Sequence, residues 1–202
     1  MALRSAIVHA ANQGALLVAA AGNFYRSGNP IIYPAAYPQV IAVAATGDLD
    51  EHADYSETGS YVELCAPGGN PSGPTDMNRL HWLYSTYWRG SPHGGSPTTG
   101  YMPLAGTSQA APHVSGLGAL IWTLRGSLTA AQVRMIMQST AVDLGGAGRD
   151  DVFGYGRIDA AAALRAALSG AYMAPLGAEV PEPAPAGAVA VQEPFVAGRL
   201  LV

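Results

Sequence analysis

The chain has 202 residues, 49% of them hydrophobic and only 12% charged, with a formal net charge of −4; this suits one domain with a substantial core. Ten Lys and Arg spread over that length argue against a nucleic-acid or anionic-membrane partner. The single cysteine, Cys65, excludes an internal disulfide or a cysteine metal cluster.

Leu3, Ala6, Ile7 and Ala10 fall on one helical face, so residues 2–13 are predicted as a helix that Gly14 stops. The apolar run Ala15–Ala21 then ends in Gly22-Asn23 and reads as a parallel strand buried on both faces. Arg4, this run and an Ala-x-Ala pattern mimic a signal peptide, but His9, Asn12 and Gln13 interrupt it, so no export signal is expected here. No segment reaches the roughly 18 apolar residues of a membrane span. Residues 40–45 predict a second buried strand, and residues 61–65 alternate like a third. Residues 66–105 read as a long loop region with one strand-like stretch, His81–Tyr87.

The clearest predicted helix runs from about Ser108 to Arg125. Val114, Leu117, Ile121 and Leu124 form a stripe and small residues the remainder, the pattern of a helix buried all round. Thr129 and Gln132 form a capping box for a helix reaching about Thr140. Asp159 caps a last helix, Ala160–Leu168, with Gly170 beyond it. From Tyr172 the composition turns to Pro, Ala, Gly and Glu. Residues 1–170 are therefore read as the domain and residues 171–202 as a linker or tail, in which Arg199–Val202 could add a strand of unspecified partner. Strands alternating with helices predict an α/β fold, a mainly parallel sheet with helices on both faces in three layers.

Chemistry concentrates in Gly106-Thr-Ser-Gln-Ala-Ala-Pro-His-Val-Ser-Gly116. A serine hydroxyl attacks carbonyls only when exposed, oriented and served by a base. Ser108 in a helix's first turn meets the first two needs, beside free N–H groups and the positive end of the helix dipole. Pro112 is read as tolerated in that first turn. In isolation Thr107-Ser108 would be an ordinary N-cap. The eleven-residue context resembles the nucleophile motif of the subtilisin family of serine peptidases, Gly-Thr-Ser-x-Ala-x-Pro-His-Val-x-Gly.

Val18-Ala-Ala-Ala-Gly-Asn23 resembles the same family's strand and turn that deliver the oxyanion-hole asparagine. The resemblance thus implies Ser108 as nucleophile and Asn23 as side-chain donor to the oxyanion. Tyr33-Pro34-Ala-Ala-Tyr-Pro-Gln-Val-Ile-Ala-Val43 looks like the segment lining the primary specificity pocket, which implies a cis Tyr33–Pro34 bond. Gly22, Ile32, Tyr33 and Thr107 are implied as substrate-binding. Glu63, with carbonyls near Ala35, Tyr37 and Val40, falls where some relatives hold a weak calcium or sodium ion; no cofactor is otherwise expected. Ala66-Pro-Gly68 and Gly154–Ala160 continue the pattern, so the resemblance covers about residues 2–168.

The sequence departs from the family in a longer stretch between Asn23 and Ser108, with extra residues around Gly69–Leu80 and Trp88–Tyr101, and above all in the triad. Neither the Asp-Thr/Ser-Gly motif nor the His-Gly-Thr motif of the triad is present. His113, about 140° round the helix from Ser108, cannot replace the base and is read as a buried helix histidine. His9 and His52 lack supporting context, and His81 and His93 lie in the long loop. In this family loss of the whole triad costs roughly 2 × 10⁶ in turnover. The expectation is therefore a fold incomplete on its N-terminal side, exposing apolar faces, dependent on a partner and inactive alone. The implied substrate is peptide or protein, the implied partner a missing N-terminal half or second chain, and the implied location secreted or cell-envelope. An α/β-hydrolase lipase is excluded because Gln109-Ala110 follows the serine where its elbow wants x-Gly. A peptidase-like fragment that binds peptides or a partner without cleaving is the rival.

Overall fold

The structure, a computed structural model, describes residues 2–72, 82–89, 98–170 and 200–201. Helix α1 (Ala2–Asn12) leads into strand β1 (Leu16–Ala20), followed by β2 (Val40–Thr46) and β3 (Val62–Pro67). A hairpin of β4 (Leu83–Arg89) and β5 (Thr98–Leu104) comes next. Helices α2 (Thr107–Leu124), α3 (Ala130–Thr140) and α4 (Ala160–Ser169) follow, with the two-residue strand β6 (Leu200–Leu201) last.

The main sheet has the order β3-β2-β1-β6 and is parallel throughout. Strand β2 lies at its centre and all seven of its residues are buried, as an unbroken apolar strand between helical layers requires. Its alternate residues divide between the layers. Ile41, Val43 and Ala45 pack with α2, α3 and α4 through Val114, Ile121, Ile136 and Ala163. On the opposite face, Val40 and Leu17 of β1 cover Ile7 of α1. The α/β architecture with helices on both faces is therefore as expected.

The cap of α3 is the expected one: Thr129 Oγ1 accepts from Gln132 N while Gln132 Oε1 accepts from Thr129 N. Asp159 Oδ1 likewise accepts from Ala162 N at the start of α4. The Tyr33–Pro34 peptide is cis.

Four expectations are corrected. The long loop region contains a full antiparallel hairpin, paired from Leu83↔Leu104 to Arg89↔Thr98. Strand β5 escaped notice because Gly100 and Pro103 break its pattern, which a two-stranded ribbon tolerates at its edges. Helix α2 is not buried all round: Leu120 and Leu124 are 51% and 43% exposed, on a side that also exposes Pro112, His113 and Gly116. Nothing among the described residues covers that stripe. His113 is accordingly exposed, its Nδ1 2.8 Å from the Gln109 carbonyl of the preceding turn. Finally, α2 starts at Thr107, so Pro112 sits in its second turn and leaves the Ser108 carbonyl without an i+4 partner.

In the hairpin, Tyr84 and Trp88 share a face with Tyr101, and all three are exposed, whereas Trp82 and Tyr87 are half-buried. Residues 171–199, His81 and His93 lie outside the described residues. Among the described residues no helix is long and apolar enough to cross a membrane.

Candidate active site

The carboxyl end of a parallel strand and the amino end of the helix packed on it meet at one side of an α/β sheet. Here those ends belong to β1 and α2. Beyond β1 the chain turns at Gly22, whose φ of +124° is one that side chains rarely adopt. That turn presents Asn23 to solvent at the start of α2.

Helix α2 is held from below by the Ala66-Pro-Gly68 segment. Gly106 N donates to the Gly68 carbonyl at 2.9 Å. A Cβ at Gly68 would lie 2.5 Å from Ala45 Cβ and 2.9 Å from the Gly106 oxygen, so only glycine allows this approach. Tyr55 donates its hydroxyl to the Gly69 and Gly68 carbonyls at 2.6 and 3.0 Å. Burial pushes that phenol well above its ordinary range.

Thr107 joins the two ends. Its backbone N–H and hydroxyl donate to Asn23 Oδ1 at 2.9 and 2.8 Å. The same hydroxyl accepts from Gly22 N at 3.2 Å. With its carbonyl oxygen taken, the Asn23 amide turns its N–H₂ the other way. A Cβ on Gly106 would lie 2.8 Å from Gln109 Oε1, 3.4 Å from Asn23 Nδ2 and 3.7 Å from Ser108 N. Asn23 Nδ2, Ser108 N and the Gln109 side-chain oxygen, from two distant parts of the chain, thus all border Gly106, next to an exposed serine in the first turn of α2. A fixed pair of donors at a helix N-terminus can stabilise negative charge developing on a carbonyl oxygen.

The candidate residues fare differently. Ser108, Asn23 and Gly22 come together, and Ile32 joins them: a Cβ on Gly22 would be 2.7 Å from Ile32 Cγ1. Tyr33 is 56% exposed and packs on Tyr37, ring centroids 4.6 Å apart. Thr107, expected to contact substrate, is instead fully buried with its polar groups spent on Gly22 and Asn23. Among the described residues Ser108 Oγ has no histidine partner. His52 Nε2 lies 2.9 Å from the Ser56 carbonyl, and burial lowers its pKa from the ordinary value.

Glu63 does not fit a bound cation. Arg134 donates to both of its carboxylate oxygens, through Nε to Oε1 at 2.6 Å and through Nη2 to Oε2. Gln138 Nε2 adds a bond of 2.8 Å. Arg134 Nη1 also donates at 3.0 Å to the carbonyl of Pro38, the residue after Tyr37, in the segment expected to complete the ion site. The guanidinium supplies the positive charge there, and among the described residues no group of three acidic, histidine or cysteine side chains could hold a metal. Sequence reasoning also passed over Glu57, which lies against the Asn23 turn in a stretch without a motif.

This arrangement has counterparts. The sequence pattern of the subtilase family matches residues 2–156. The chain belongs to the subtilase family. Among curated subtilases it is 41% identical over 156 residues to the minor extracellular protease Epr of Bacillus subtilis, covering 77% of this chain and 21% of that one. It is 40% identical over 158 residues to subtilisin DY of Bacillus licheniformis, covering 77% and 48%. Among solved subtilase structures, a lanthipeptide protease superposes with a TM-score of 0.67 at 30% identity, covering 80% of this chain and 53% of that one. A protease of Pseudoalteromonas arctica gives 0.65 at 35%, covering 81% and 46%. The chain thus spans about half the length of subtilisin DY and less of Epr.

Proposed function

We propose that this chain is the nucleophile- and oxyanion-bearing part of a subtilisin-type serine endopeptidase, formed by residues 1–170 with 171–202 as a linker or tail. The observation that supports this reading most is that Thr107 ties the Asn23 side chain to the first turn of α2, where Ser108 is exposed. In the proposed reaction Ser108 Oγ attacks a peptide carbonyl and its proton passes to a base. The carbonyl oxygen, now an anion, accepts from Asn23 Nδ2 and Ser108 N. Collapse expels the amine, which takes the proton from the base, and water then releases the acyl group from Ser108.

The base and its orienting acid come from a separate polypeptide segment, because their motifs are absent from this sequence. The exposed Leu120 and Leu124 side of α2 is where such a segment would pack. Gly22, Ile32 and Tyr33 would line the pocket for the residue before the scissile bond. Extracellular relatives support export of the complete protein. The exposed stripe equally favours a second reading, a partner-binding module that no longer cleaves.

A fluorophosphonate probe separates the two. The chain is incubated with the probe alone and with an added N-terminal portion of subtilisin DY carrying the triad acid and base. Labelling at Ser108 in the mixture, lost in Ser108→Ala, is the expected result. No labelling in either sample establishes the non-cleaving module.

A further inference from the structure

Asn23 is held from two sides, and only one of them is Thr107. The other is Glu57, which lies in the loop between β2 and β3 and is fully buried. Its backbone N–H donates to the Gly22 carbonyl at 3.2 Å. Its carboxylate accepts from Phe24 N through both oxygens, each at 3.0 Å. The two bonds therefore grip the residues immediately before and after Asn23. Gly22 permits this, because a Cβ there would lie 2.2 Å from Glu57 Oε2. The surrounding loop is tied to the same turn: Asn29 Nδ2 donates to Thr58 Oγ1 at 3.0 Å, Thr58 N donates to Asn29 Oδ1 at 2.9 Å, and Tyr25 N donates to the Tyr55 carbonyl at 3.1 Å.

We propose that Glu57 is a positioning residue for the oxyanion donor, clamping the backbone on both sides of Asn23 so that its N–H₂ stays aimed at the reacting carbonyl. The inference rests on the peptidase reading for the role of Asn23. The physical reason is that Thr107 fixes only the amide oxygen. A side chain hinged on a freely turning backbone would swing about that anchor, whereas a backbone gripped at Gly22 and Phe24 leaves the amide one direction. A buried carboxylate bonded to neutral N–H is an expensive way to hold a turn. Burial accordingly raises its pKa from the ordinary value, and the nearby Tyr61 phenol is raised too. Arg26, in the turn that follows Phe24, is paired with Asp54.

The test uses the full 202-residue chain and NMR of the Phe24 backbone amide and the Asn23 side-chain N–H₂. In Glu57→Ala the Phe24 amide is expected to exchange with solvent about tenfold faster or more, while β2 amides keep their protection. The two Asn23 side-chain proton shifts should move toward those of free asparagine. Glu57→Gln, which keeps an oxygen acceptor, should restore both signals. Unchanged Asn23 and Phe24 signals in Glu57→Ala overturn the inference, and so does loss of β2 protection together with theirs in a folded variant. Should Glu57→Ala not fold, Glu57→Asp decides, because its shorter carboxylate keeps the charge but not the reach to Phe24; wild-type signals in that variant overturn the inference. In the mixture with the added N-terminal portion, Glu57→Ala should slow Ser108 labelling about tenfold to a hundredfold, with Glu57→Gln close to wild type. Absence of labelling in the wild-type mixture sinks the peptidase reading alone, since the NMR result still decides the clamp.

Discussion

Glu57 and Glu63 are both buried on the β2–β3 side of the sheet, yet their carboxylates live in opposite surroundings. Glu63 faces a guanidinium that bonds both its oxygens, a glutamine amide, and through Arg134 the carbonyl of Pro38. The Glu57 carboxylate accepts from backbone N–H, that of Phe24 above all, and among the described residues forms no ion pair. A buried charge with a matched counter-ion is a structural fastening between β3 and α3. A buried carboxylate without a counter-ion is kept where something besides stability is at stake, and Glu57 bonds the residues on either side of Asn23.

The sharpest way to break this contrast is to remove the guanidinium. Arg134→Ala strands a buried carboxylate and should lower unfolding free energy by about 3–5 kcal/mol, read by urea denaturation. A loss under about 1 kcal/mol would place Glu63 in the same class as Glu57. A scale for that loss comes from α2. Ile121→Ala empties a fully buried site between α2 and the sheet and should cost about 2–5 kcal/mol. On the other side of the same helix, Leu120→Ala should change stability by less than about 0.5 kcal/mol in the isolated chain. If the Leu120 change instead weakens association with the added N-terminal portion, the exposed stripe is a docking face.

The effect expected at Glu57 is also small and has a distinctive pH dependence. Because its folded pKa is raised above the ordinary value of 4.5, the folded chain retains a proton in a window where the unfolded chain has lost it. Stability from this group therefore falls as pH rises through that window, and its full cost is present above it. Glu57→Gln should be more stable than wild type near pH 7 by under about 1 kcal/mol. The two thermal unfolding curves should converge below about pH 4. A Glu57→Gln variant that is less stable than wild type at neutral pH would show that the charge itself holds the turn.

His52 acts in the opposite sense and must be separated from this. Its folded pKa is lowered from 6.5, so it loses stability as pH falls through that value, when the unfolded imidazole takes up a proton first. Between pH 4.5 and 6.5 the two groups therefore pull the stability curve in opposite directions, Glu57 lowering it and His52 raising it as pH rises.

Much of this architecture was readable from local pattern. A short unbroken apolar run ending at a turn reads as a strand between layers, and a capping box closes on itself within four residues, so β1, β2 and α3 declared themselves. The motif around Ser108 and the turn at Gly22-Asn23 were legible for the same reason: each is a continuous segment whose chemistry depends on near neighbours. Strand β5 was hidden by Gly100 and Pro103, and the exposed side of α2 by small residues that suit burial and exposure alike.

What the sequence by itself determined is therefore the family, and most of the helices and strands that carry the candidate residues Ser108 and Asn23. Only the tertiary structure decided how charges are matched. Arg134 and Glu63 are 71 positions apart, and Glu57 lies 33 positions from the amide it holds. No periodicity links such pairs, because a hydrogen bond between distant segments exists only once packing has brought their backbones together. For that reason Glu63 looked like an ion ligand until its guanidinium came into view, and Glu57 looked like nothing until it was found gripping the turn of Asn23.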